Sequence, residues 1–187
     1  MTEISDRYAT IADGFARRVD GTSDWDAPSP CPEWNARDVV THVVATHRGI
    51  LSKLAETEQA EVADGTEAVP VDEVKAGWRH VSDRILTVLA DPDQAGKVVP
   101  SMFGEAPFDE LVGGLLCADT LVHTWDLARA TGQDDQLDRG AVDRALAFLT
   151  PLDEHMRAPG GMGPKVEVPD GTDDQSKLIA FMGRDPS

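Results

Sequence analysis

VDEVKAGWRHVSDRILTVL, residues 71–89, sets Val71, Val74, Trp78, Val81, Ile85 and Val88 at alternating steps of three and four. That spacing lines six apolar side chains along one narrow stripe of an α-helix, the pattern of helices packed side by side in bundles. Asp72 and Glu73 fall in the first turn, where negative charge suits the N-terminal end of the helix dipole. Asp91-Pro92-Asp93 follows and stops the helix, because proline has no N–H to continue it.

Working outward, Ile4, Tyr8, Ile11, Phe15 and Val19 give a first amphipathic helix from about Glu3 to Arg18. The run GTSDWDAPSPCPEW, residues 21–34, is rich in turn formers and must leave the helix. Asn35 is placed to cap a second helix, with Asp38 three residues on in capping-box position. This helix is expected to reach about Glu56, with a polar loop over Glu56–Glu67 after it. Residues 97–108, with Pro100, Gly104 and Pro107, read as an extended excursion with room for a small hairpin. A fourth helix spans about Phe108 to Ala130 and a fifth about Asp138 to Leu149. A Gly/Pro-rich loop over 158–171 precedes a short last helix, Asp173 to Met182. The expectation is an all-α four-helix bundle with additional short helices and a possible hairpin, in a single domain over residues 1–187.

The net charge of −17 repels phosphate backbones and acidic membrane surfaces, so neither nucleic acid nor membrane is an expected partner. No apolar run approaches the roughly 20 residues that cross a bilayer. The N-terminal stretch carries acids where a signal peptide has bases, so a cytoplasmic location is expected. Cys31 and Cys117 form neither a CxxC pair nor a disulfide scaffold and read as ordinary buried or semi-buried residues.

The fourth helix carries the chemistry. Projected at 100° per residue, Leu111, Val112, Leu115, Leu116 and Val122 share a face with Asp119, His123 and Asp126. A buried carboxylate needs a partner or a cation, and Asp119 and His123, one turn apart, can reach a common ion. Spacing alone leaves two other accounts open: the stripe can emerge into solvent, or the pair can share an intrahelical hydrogen bond. A further ligand must come from another helix. The second helix has His47, near the centre of its apolar stripe, and His42, beside the small residues Ala45, Thr46 and Gly49. His80 and His155 read as surface residues. Asp126 can orient an imidazole or pair with Arg129. Trp34 and Trp125 can wall a cavity or pack in the core.

SPCPEWNARDVVTHVV (29–44), ADTLVHTWDLARATGQ (118–133) and the tail KLIAFMGRDP (177–186) resemble a family of actinobacterial metal-binding proteins. These are related to the N-terminal domain of mycothiol-dependent maleylpyruvate isomerase, in the DinB-like superfamily of four-helix bundles. The resemblance implies His42, Asp119 and His123 as metal ligands; projection keeps His47 in reserve, and Asp126 is placed to orient an imidazole. Asp119 stands where the family more usually has glutamate. Two imidazoles and one carboxylate suit zinc, with nickel, iron(II) or cobalt as alternatives.

The function implied by the resemblance is that of a metal-dependent thiol transferase or isomerase. An open metal position would take the thiolate of a low-molecular-weight thiol such as mycothiol, for attack on an electrophilic small molecule. A homodimer is in keeping with the resemblance, although nothing in the residues demands one. The isomerase's C-terminal domain has no counterpart in this sequence, so maleylpyruvate itself is not the expected substrate. The rival expectations are a non-catalytic metal-binding protein and a metal-dependent hydrolase.

Overall fold

A computed structural model describes residues 2–54, 70–101, 104–157 and 163–187. Helix α1 (Glu3–Gly21) starts at Thr2, whose side chain accepts from the Ser5 N–H. Helix α2 (Ala36–Ser52) has the full capping box, Asn35 bonding the Asp38 N–H and Asp38 bonding the Asn35 N–H. Helix α3 (Val71–Leu89) buries Val74, Trp78, Val81, Ile85 and Val88 as its period requires. Helix α2 ends at Ser52, four residues short of the expected Glu56, its last turn closed by the Lys53 N–H on the Ile50 carbonyl; the loop expected over Glu56–Glu67 lies outside the described residues.

Asp91 closes α3 and also caps a single extra turn, α4 (Pro92–Ala95), where Pro92 fits because a first-turn N–H needs no partner. Strands β1 (Val98–Ser101) and β2 (Gly104–Pro107) then form an antiparallel hairpin with Val99 opposite Ala106. It is the small excursion that the Pro and Gly content predicts.

The fourth long helix is interrupted. It opens as α5 (Phe108–Leu111), widens into a π-helical turn over Val112–Leu116, and continues as α6 (Cys117–Thr131). Such bulges insert one residue into the ladder and turn the faces that come after. Gly113 and Gly114 sit inside it, where a Cβ would meet the Arg7 and Phe148 side chains at 2.6 and 2.4 Å. Gly132, at φ 66°, ends α6. Helix α7 (Arg139–Leu149), capped by Asp138, packs on α6. The short α8 (Asp153–Met156) precedes the loop that leads to α9 (Asp174–Phe181), capped by Asp173; positions 158–162 of that loop lie outside the described residues.

Side-chain pairs give the bundle's directions. Gly113 lies beside Ile4, and Gln133 donates to the Arg18 carbonyl, so α1 and the long fourth helix run parallel. Phe15 meets Trp78 edge-on at 4.7 Å, and Asp20 pairs with Arg79. Gly77 abuts Val44, while Leu51 and Ser52 share a cleft with Arg84 and Val88, so α2 and α3 are parallel. Tyr8, Phe15, Trp78, Ile85, Phe108 and Leu116 are fully buried between them.

Packed by α1, α2 and α7, α6 is buried on every side from Cys117 to Ala128 except at half-buried Asp119. A single projected face therefore understates it. No helix among the described residues is long and apolar enough to cross a membrane.

Candidate metal centre

The turn before α2 builds one wall of the site. Pro30-Cys31-Pro32-Glu33-Trp34 folds back on itself, with the Ser29 N–H bonded to the Trp34 carbonyl and the Trp34 N–H to the Cys31 carbonyl. Glu33 takes a left-handed φ of 67°, a strained conformation for a residue with a Cβ. The result sets the half-buried Trp34 ring 4.9 Å from His42 and 5.9 Å from His123, stacked on the latter.

The capping box fixes where α2 begins, so His42 arrives in its second turn facing the middle of α6. There Asp119 Oδ1 lies 3.6 Å from His42 Nε2 and 3.6 Å from His123 Nε2. One donor atom from each of the three residues lies within 4.8 Å of the others. A separation of 3.6 Å is too long for a hydrogen bond. Two ligands on a tetrahedral zinc, each at roughly 2.0–2.2 Å, sit about 3.4 Å apart. The other oxygen, Asp119 Oδ2, is buried without a hydrogen-bond partner. A carboxylate held between two imidazoles with one oxygen unsatisfied fits a cation. The side chains are 38% exposed for His42, 18% for Asp119 and 7% for His123, so the group opens to solvent on the His42 side.

Behind His123 lies Asp126, with no exposure at all. His123 Nδ1–H donates to Asp126 Oδ2 at 2.9 Å. Arg184 also donates to this carboxylate, so it is ionised and can only accept, which keeps a proton on His123 Nδ1 and turns Nε2 toward Asp119 and His42, where it can bind a cation once its own proton has left. Metal-binding histidines are commonly held by such a carboxylate. Burial alone would lower the His123 pKa, but Asp119 beside it, with the Asp126 and Cys31 hydrogen bonds, outweighs burial and lifts it to about 10. Asp119 and Asp126 are both held below the usual carboxylate range, burial pushing them up and His123 overriding it.

His47 stands elsewhere. Its ring is fully buried between Tyr8 at 5.9 Å and Trp78 at 5.2 Å, and Nδ1–H donates to the Val43 carbonyl at 2.8 Å. Nε2 is buried without a partner, and burial pushes the imidazole down to about 4. Arg129 pairs with Asp135 and stacks over Trp125, a core residue, so Arg184 and not Arg129 is the cation of Asp126. His80 and His155 are exposed.

Two residues that contact Asp126 behind the donor group carry no local signature. Cys31 Sγ lies 3.3 Å from Asp126 Oδ2 and 3.1 Å from Arg184 Nη2. Their only trace in the sequence is the resemblance of the Pro-Cys-Pro turn and the Gly-Arg-Asp-Pro tail to one family. A cleft of about 650 Å³, lined by Arg48, His80 and Arg84 among others, includes none of the donor group.

Comparison with known proteins bears on this geometry. The family model described as the mycothiol maleylpyruvate isomerase N-terminal domain matches residues 8–128, a span that includes all three donors and Asp126. Two uncharacterized proteins of Mycobacterium tuberculosis, from strains CDC 1551 / Oshkosh and ATCC 25618 / H37Rv, are each 30% identical over 159 residues. The match spans 84% of this chain and 83% of each relative. Among solved structures, that of the mycothiol-dependent maleylpyruvate isomerase aligns with a TM-score of 0.56 at 14% identity, covering 88% of this chain and 73% of that one. A mutant of the same enzyme aligns over the same shares with a TM-score of 0.54 at 14% identity.

Proposed function

The chain belongs to the family of the mycothiol maleylpyruvate isomerase N-terminal domain, and on that footing we propose that it is a metal-dependent thiol transferase or isomerase. Its ligands are His42 Nε2, an Asp119 oxygen and His123 Nε2, and its metal is a divalent ion, zinc first among the candidates. The observation that carries the proposal is the Asp119 carboxylate, set between two imidazoles with its second oxygen buried and unpartnered.

With three protein donors, at least one coordination position remains for a thiol. When bound, such an ion lowers the pKa of a thiol and favours the nucleophilic thiolate. The protein's own residues prepare the place. Asp126 holds the His123 ring in the tautomer whose Nε2 is free, and Trp34 covers both imidazoles with apolar surface. The exposed side of His42 admits a thiol and its electrophilic partner from solvent. The named chemistry of the isomerase supports mycothiol as the thiol.

Elemental analysis should find about one equivalent of divalent metal, removable by chelator. In the cobalt(II) form, adding mycothiol or another small thiol should change the visible spectrum. A cobalt spectrum indifferent to thiol would favour a non-catalytic metal site, and turnover without thiol would favour hydrolysis.

The two histidines of α2 should also separate. His42→Ala is expected to weaken zinc binding by more than roughly 100-fold, beyond the 10–100-fold typical of outer partners. His47→Ala should change it less than about tenfold. Competition with a chromophoric chelator measures both, and the reverse order would place the metal at His47.

A further inference from the structure

The imidazole of His123 faces two donor groups. Through Nε2 it meets His42 and Asp119; through Nδ1 it meets Cys31 and Asp126. All three members of the second group are buried. A thiolate, an imidazole and a carboxylate suit zinc at least as well as the first set. Donor chemistry alone would therefore not direct a metal to the exposed side.

A guanidinium already sits in the second group. Arg184 Nη2 is 3.0 Å from Asp126 Oδ2 and 3.1 Å from Cys31 Sγ, and its Nε is 3.3 Å from Asp126 Oδ1. These bonds engage both Asp126 oxygens and the sulfur that a metal would need. The position of Arg184 is set by the backbone. At the end of α9 the Gly183 N–H bonds the Ala180 carbonyl and the Arg184 N–H bonds the Ile179 carbonyl, with Gly183 at φ 82°. This is the Schellman closure, in which glycine supplies the left-handed residue. It turns the chain so that Arg184 reaches back to Asp126 on α6, while its Nη1 donates to the Met182 carbonyl at the end of α9 at 2.6 Å.

We propose that Arg184 selects the metal site, its guanidinium occupying the Cys31–His123–Asp126 group and leaving a divalent ion only the His42–Asp119–His123 group. This selection rests on the proposed metal function and adds to it what keeps sulfur out of the coordination. Arg184 is a positioning residue: it holds Asp126 ionised and in place, so that Asp126 in turn holds the Nδ1–H of His123. Its positive charge repels a second cation from the buried side.

Cobalt(II) and cadmium(II) binding test this, since a thiolate ligand adds an intense near-ultraviolet sulfur-to-metal band. The wild-type protein should bind one equivalent without that band, and Cys31→Ser should change its affinity less than about threefold. Arg184→Ala should gain the band, Arg184→Ala with Cys31→Ser should lose it again, and Arg184→Lys, which keeps a positive charge, should resemble wild type. A wild-type sulfur band abolished by Cys31→Ser would overturn the inference, as would Arg184→Ala binding cobalt with the wild-type spectrum and affinity. If Arg184→Ala does not fold by circular dichroism, the Cys31→Ser variant decides, because a loss of affinity beyond tenfold would put the metal on the thiol. Absence of metal in wild type would sink the proposed function alone, provided Arg184→Ala still gained a sulfur-ligated ion; metal in neither protein would sink both.

Discussion

His123→Ala is expected to remove stoichiometric metal and to lower the melting temperature of the metal-free protein by about 10 °C. Both effects come from one ring. Its Nε2 faces Asp119 at 3.6 Å, and its Nδ1–H is bonded to Asp126 at 2.9 Å. Without it, two donors on different helices remain, and affinity should fall by more than roughly 100-fold. In the metal-free state His123 is the cation of a buried group, since its pKa lies near 10. Deleting one partner of a buried ion pair costs about 3–5 kcal/mol, because the other charge is left uncompensated. Arg184 still covers Asp126, so the loss falls chiefly on Asp119, beside which His42 remains at 3.6 Å. Against a total stability of roughly 5–15 kcal/mol the protein should stay folded at 25 °C. A shift of roughly 2–4 °C per kcal/mol for a chain of this size gives a melting change of that order. Circular dichroism and elemental analysis of the purified variant measure the two parts, and a full equivalent of metal in it would remove His123 from the ligand set.

The fold was legible because its signals are local. The stripe from Val71 to Val88 becomes the buried side of α3, Asn35 and Asp38 form the capping box, and Asp138 and Asp173 cap α7 and α9. Projection failed where a helix has no single inward side. α6 is enclosed by three neighbours, and the π turn at Val112–Leu116 breaks the 100° step on which projection depends. In the sequence only the Gly113-Gly114 pair marks that turn. On α2, projection favours the most buried histidine. His47 is that residue, yet full burial against Tyr8 and Trp78 suits a packing role, whereas His42 stands beside Asp119 with one side open. The resemblance, not the periodicity, points to His42. The contacts of Cys31 and Arg184 were beyond reach of any local pattern, because the two meet Asp126 across 95 and 58 residues of chain. Contacts of that span arise only from the assembled bundle.

The two buried histidines should give the metal-free protein a stability maximum close to pH 6.5, falling on both sides for opposite reasons. His47 is neutral in the fold, burial having pushed its pKa from 6.5 down to about 4. Its contribution is complete above pH 6.5 and is lost as the pH falls toward 4, because the unfolded chain takes up that proton first. At 1.36 kcal/mol per unit the loss between pH 7 and pH 4 is about 3 kcal/mol. His47→Asn, which can keep a donor toward the Val43 carbonyl, should start less stable and show a shallower acid slope. His123 behaves in reverse. With its pKa raised to about 10, its ion pairs are in force below pH 6.5 and are lost as the pH climbs from 6.5 toward 10. Metal requires the neutral imidazole, so saturating zinc should flatten the alkaline arm while leaving the acid arm of His47 in place near neutrality. Urea titrations from pH 4 to 10, with and without zinc, separate the arms. Equal acid slopes for wild type and His47→Asn would show that His47 already carries a proton in the fold. An alkaline arm unchanged by zinc would show that the ion does not reach His123.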